Sequence, residues 1–166
     1  MKFTFKQILA FNEAANGLIT RMGEYDRRRL LYAVVKNQKK VKPIIDKFQK
    51  KSTEEFNELL ADLNIEYASV DKDKNVIKDE KGRYSYTQEN HKKLYREVAI
   101  LTKKMDEKLE EEKLVEYDIE PYHCTDIDVA LTMTEEECFA GFVYPEELVG
   151  NFDFWQEKTN ELLKNE

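Results

Sequence analysis

Arg27-Arg28-Arg29, followed by Tyr32, Lys36 and Asn37, is the stretch of this sequence whose residue types could do chemistry. Guanidinium groups bind phosphate or carboxylate through two parallel N–H donors, and the first turn of a helix adds backbone N–H groups with no partner of their own. Three adjacent residues are spread around a helix, so the three arginines cannot all face one ligand. Arg28, Tyr32 and Lys36 recur every four residues and share a face. The spacing therefore predicts an anion- or nucleotide-binding surface at Arg28, Tyr32 and Lys36, with Arg27 and Asn37 beside it.

Charge along the chain sets up a competitor for that surface. Between Arg27 and Lys51 there are ten basic residues against Asp46, whereas Asp106 to Glu120 carries eight acids against Lys108 and Lys113. The whole chain has a formal charge of −7, which disfavours a duplex nucleic-acid binder. The basic stretch either pairs with the acidic block, within the chain or between subunits, or stays open to a ligand.

Other candidate chemistry is thinner. Asp71-Lys72-Asp73-Lys74-Asn75 begins like a calcium loop, but Val76 stands where that loop needs glycine and Gly82 where it needs a bidentate acid. His123-Cys124 with Asp126, and His91 with Cys138, lack the paired spacing of a zinc site. Five glycines leave little room for a phosphate-cradling loop. No catalytic residue, metal or cofactor is assigned. A small hydrolase using His91, His123 or a carboxylate pair stays as an alternative, as does a structural or assembly protein.

The elements that would position these residues follow from apolar periodicity. Phe5, Ile8, Leu9, Phe11, Ala15, Leu18, Ile19 and Met22 recur at three and four residues, predicting a helix over 4–22 that Gly23 stops. Asp26 is placed to cap a basic helix over 26–63, with a kink at Pro43 and a capping box at Ser52 and Glu55 that could restart it. Leu94, Val98, Leu101, Met105 and Leu109 predict a second long helix over 88–113, with Thr87 as its cap. Lys74–Lys78 and Arg83–Thr87 predict a β-hairpin between the two, turning at 79–82.

Alternation around Val115, Tyr117 and Ile119 predicts a strand ending before Pro121, and 128–132 a second strand. Thr134 and Glu137 have capping-box spacing for a short helix through Cys138, Phe139 and Phe142, and Phe152 to Leu163 suits a last helix. No internal repeat is expected. The fold class is thus mainly α with a small β component, a long antiparallel helical hairpin with an inserted β-hairpin in one domain over 1–166, divided as 1–23, 26–113 and 114–166. Two cysteines, no secretory signal and no apolar run of membrane-spanning length point to a cytoplasmic protein without a membrane partner.

Tyr25-Asp26-Arg27-Arg28-Arg29-Leu30, Asp79-Glu80-Lys81-Gly82-Arg83-Tyr84 and Thr134-Glu135-Glu136-Glu137 resemble a family of small uncharacterised phage and prophage proteins of low-GC Gram-positive bacteria. The resemblance implies a phage origin. It makes the expected function that of a non-catalytic accessory binding protein, antagonising host defence by holding a nucleotide signal or a host protein, and open to homo-oligomerisation.

Overall fold

The computed structural model describes residues 1–23, 28–124 and 128–144. In chain order its elements are β1 (Lys2–Thr4), α1 (Phe5–Met22), α2 (Arg29–Tyr67), α3 (Gln88–Glu112), β2 (Glu116–Asp118) and α4 (Met133–Phe139). The protein is mainly helical with a two-stranded antiparallel sheet. It divides into two compact units, Met1–Asp46 with Glu112–Glu166, and Lys47–Glu111.

In the first unit α1 buries one full face. Phe5, Ile8, Phe11, Ala15 and Leu18 form its inward face at the predicted spacing. Thr4 and Gln7 make a reciprocal capping box at its start. At its end Gly23 adopts φ 85° and donates its N–H to the Ile19 carbonyl at 2.9 Å. β1 precedes it and pairs with the predicted strand, now β2, placing Phe3 opposite Tyr117. Phe142 stacks on Phe3 at 3.8 Å and on Phe11 at 4.4 Å, and Phe139 meets Phe11 edge-on at 5.7 Å. Each such aromatic pair adds about 0.5–1.5 kcal/mol beyond simple burial.

The start of α4 differs from the sequence expectation by two residues. Thr132, not Thr134, is the N-cap, and its box partner is Glu135, not Glu137. The reason is tertiary. Glu135 is buried and its carboxylate takes the Arg21 guanidinium of α1 at 2.7 and 3.0 Å, while the same guanidinium also donates to the Ala130 carbonyl at 3.2 Å. The alternative register would leave Arg21 without this partner. The segment 128–132 forms no strand: Val129 and Leu131 are buried in the core, and Asp128 is used elsewhere.

α2 runs without interruption through Pro43 to Tyr67. No helix restarts at Ser52, and Glu55 pairs with Lys108 of α3 instead of closing a capping box. The predicted cap Asp26 lies outside the described residues, as does the tail from Phe152 to Leu163. α3 matches its expected span closely, with the Thr87 hydroxyl accepting the Asn90 N–H at 3.1 Å. In the second unit Asn90 also donates to the Tyr67 carbonyl at 3.1 Å, and the Tyr86 hydroxyl to Asn64 at 2.6 Å.

The connection between α2 and α3 turns at the expected 79–82 and pairs Lys78 with Tyr84 antiparallel, as an isolated bridge and not as two named strands, and it contains a repeat. Asp71 accepts the N–H groups of Asp73 and Asn75, and Asp79 accepts those of Lys81 and Arg83, all at 2.9 Å. The residue three beyond each aspartate is left-handed, Lys74 at φ 65° and Gly82 at φ 74°. Isolated antiparallel bridges follow the same period, Val70 with Val76 and Lys78 with Tyr84. Ser69, Ile77 and Ser85 then close a ring of backbone bonds: Ser69 N–H to Ser85, Ser85 N–H to Ile77 and Ile77 N–H to Ser69, at 2.8–3.0 Å. The calcium-like stretch is therefore an aspartate-centred turn used twice.

Candidate functional surface

The surface is built from the first half of α2 upward. Leu30, Leu31, Ala33, Val34, Val41 and Ile45 bury one side of that helix, which turns Tyr32, Lys36 and Lys40 outward. Tyr32 is 53% exposed, and the Lys36 ammonium lies over its ring at 5.4 Å from the centroid, a cation–π contact. Against Tyr32 stands Tyr122, 44% exposed, with ring centroids 5.7 Å apart and planes at 81°. Lys40 donates to the Glu120 carbonyl at 2.5 Å, holding the segment before Tyr122 against α2.

Asn37 is the hidden support of this arrangement. It is fully buried, donates to the carbonyls of Tyr122 and Phe142 at 2.9 and 2.6 Å, and accepts the Tyr122 N–H at 2.7 Å. An amide has two donors and a carbonyl acceptor, and the backbone of its neighbours occupies all of these sites. Asn37 is consequently a positioning residue and not a ligand contact. It fixes both backbone groups of Tyr122 and so presents that ring to Tyr32.

The helix N-terminus that could have held an external anion has an internal one. The Asp128 carboxylate accepts the N–H of Arg29 at 2.6 Å and that of Leu30 at 3.1 Å, which satisfies two of the first-turn donors and complements the helix dipole. Arg28 precedes α2, half-buried, and its carbonyl accepts the Tyr32 N–H at 3.1 Å. Arg27 lies outside the described residues. Of the residues picked from the sequence, Tyr32 and Lys36 come together on the open face, and Arg28 adjoins them in the chain.

The acidic block has partners of its own. Glu107 lies 3.8 Å from Lys103, Glu116 is 3.3 Å from Lys2, and Asp118 is 3.2 Å from the N-terminal ammonium. Glu112 accepts the Tyr117 hydroxyl. Burial first, then that hydrogen bond and the carboxylate charge, push the Tyr117 phenol up to about 12.

The thiol and imidazole groups are engaged in packing. His123 places Nε2 at 2.9 Å from the Gly141 carbonyl, which makes that nitrogen the donor. The adjacent Cys124 N–H donates to Val143 at 2.6 Å. Burial, with Glu137 and Glu13 adding to it, pushes the Cys138 thiol up, away from the thiolate that nucleophilic chemistry needs. In the second unit His91 packs against Tyr86 and Tyr95. Among the described residues no cluster of three His, Cys, Asp or Glu side chains could hold a metal ion, and no helix is long and apolar enough to cross a membrane.

Fold and surface together define a helical two-unit protein whose candidate site is an open aromatic and cationic face. No protein family, curated protein or solved structure matches the chain.

Proposed function

We propose that this chain is a non-catalytic binding protein whose Tyr32–Tyr122 face, with Arg28 and Lys36, docks on an acidic surface of a protein partner. The edge-to-face placement of two half-exposed tyrosines beside a lysine carries this reading. Tyrosine and arginine are enriched at the energetic centres of protein interfaces, tyrosine because it buries large area at little conformational cost and arginine because its planar guanidinium presents several donors at once. Basic side chains around them would steer an acidic partner and suppress basic ones.

The same geometry weighs against a held nucleotide. Rings at 81° cannot sandwich a base between parallel faces, Lys36 covers part of the Tyr32 ring, and Asp128 takes the N–H groups a phosphate would want. The phage resemblance makes the partner a host protein, and antagonism of host defence its purpose. The long antiparallel pairing of α2 and α3 belongs to this reading.

The experiment compares wild type with the Tyr32→Ala/Tyr122→Ala variant as baits in a cytosolic lysate of a low-GC Gram-positive bacterium. An acidic protein retained by wild type, released by salt and lost with the variant supports the reading. Equal capture by both baits overturns it. A nucleotide that raises the melting temperature of wild type but not of the variant would replace it with sequestration.

A further inference from the structure

The second unit has its own surface, independent of the tyrosine face. Within Lys47–Glu111 the buried apolar residues are Ala68, Leu94 and Leu101, a thin core for two long helices. α3 carries a second apolar stripe beside the line of Leu94 and Leu101. His91, Tyr95, Val98, Thr102, Met105 and Leu109 recur at four, three, four, three and four residues, the heptad spacing that a helix presents to a neighbouring helix.

Along this stripe Tyr95 is 67% exposed, while Val98, Met105 and Leu109 are half-covered. Thr102 spends its hydroxyl on the Val98 carbonyl at 2.9 Å, which leaves its methyl to the stripe. A helix face with this period is half an interface.

The charges beside the stripe identify the other half. Lys92 flanks its N-terminal end, Ala99 its middle and Asp106 its C-terminal end, seven residues apart along one edge. Arg96 and Lys103 lie further off the stripe, and Lys103 is 3.8 Å from Glu107. A parallel copy would set Lys92 level with Lys92 and Asp106 level with Asp106. An antiparallel copy places Lys92 against Asp106 of the other chain, sets the small Ala99 near the axis, and brings Tyr95 onto Met105, a favourable sulfur–aromatic contact. The pattern is self-complementary about a two-fold axis, as a symmetric dimer requires.

We propose that α3 pairs antiparallel with α3 of a second copy of this chain through the stripe from His91 to Leu109. The two-fold axis passes near Ala99, and Lys92 of each chain meets Asp106 of the other.

Sedimentation of the intact protein tests this with three variants: Tyr95→Glu, Lys92→Glu, and Asp106→Lys. Wild type is expected at twice the 19.7 kDa of one chain. Tyr95→Glu is expected at the one-chain mass with unchanged helical circular dichroism. Each charge variant alone is expected to dissociate at least tenfold more readily than wild type, and an equimolar mixture of the two to recover the two-chain mass. A wild type that stays at one-chain mass at every concentration overturns the proposal in favour of a different occupant. A two-chain mass that survives Tyr95→Glu, or a mixture of charge variants that fails to recombine, also overturns it.

Discussion

Asn37 holds both backbone groups of Tyr122, accepting its N–H at 2.7 Å and donating to its carbonyl at 2.9 Å, with the second amide hydrogen on Phe142. A buried side chain on α2 thereby sets the position of an exposed ring on another segment. Replacing Asn37 by Ala orphans three buried or half-buried backbone groups, each costing about 1–3 kcal/mol when unsatisfied. Asn37→Ala should lower stability by about 3 kcal/mol or more, read by denaturant unfolding. It should also release Tyr122 from Tyr32, read as loss of contacts between the two rings in an NMR spectrum. Wild-type ring contacts in that variant would show that Asn37 does not position the face.

Glu135 and Glu137 provide an internal comparison. Both stand three residues after a threonine, but Glu135 is buried against Arg21 and caps α4, whereas Glu137 is exposed. Glu135→Ala should cost about 2–3 kcal/mol, combining a lost cap with a guanidinium left without its carboxylate. Glu137→Ala should stay within about 0.5 kcal/mol of wild type, as surface substitutions do. Equal effects would mean that the other capping register is populated.

Asp128 should behave as a cap donated from a distance. Asp128→Ala should destabilise by about 1 kcal/mol, and Asp128→Asn by less, because an amide oxygen still accepts the two N–H groups. Chemical denaturation of the two variants gives the comparison.

Asp71 and Asp79 should show the repeat in their titration. The backbone N–H of Asn75 holds the Asp71 carboxyl below its ordinary range, and that of Arg83, with the Arg83 side chain, does the same for Asp79. A carboxyl with a depressed folded pKa contributes stability that is complete above the unfolded value of about 3.9 and is lost as pH falls through the folded value. The amide resonances of Asn75 and Arg83 should therefore report midpoints below the ordinary aspartate value. Midpoints at or above it would contradict the two turns.

Pro43 lies exposed inside α2, where it cannot donate to the preceding turn. Since proline in a helix interior is about 3 kcal/mol less favourable than alanine, Pro43→Ala should raise the melting temperature. A lower melting temperature would show that the proline is needed where it stands.

The three long helices and β2 were legible because their apolar residues keep a period over many turns or a full alternation. β1 was not, since three residues carry no period and Lys2–Thr4 gains its pairing from a strand more than a hundred positions away. The Ser52 and Thr134 boxes are correct local motifs that tertiary partners overrule, Lys108 taking Glu55 and Arg21 taking Glu135. The turn repeat was hidden because its aspartates recur with different neighbours, Asn75 in one turn and Arg83 in the other. In the candidate surface, four-residue spacing found Tyr32 and Lys36. Tyr122 and Asp128 left no local signal, as both reach α2 only through the fold, and Asn37 gave no sign of being buried rather than exposed.

The docking face is tested most directly by measuring how the captured acidic partner binds wild type and Tyr32→Ala/Tyr122→Ala in titrations at two salt concentrations. Loss of two interface-centre aromatics at about 1.4 kcal/mol or more each predicts at least a hundredfold weaker binding, with wild-type affinity falling as salt rises. Affinities equal within twofold and insensitive to salt would contradict the account.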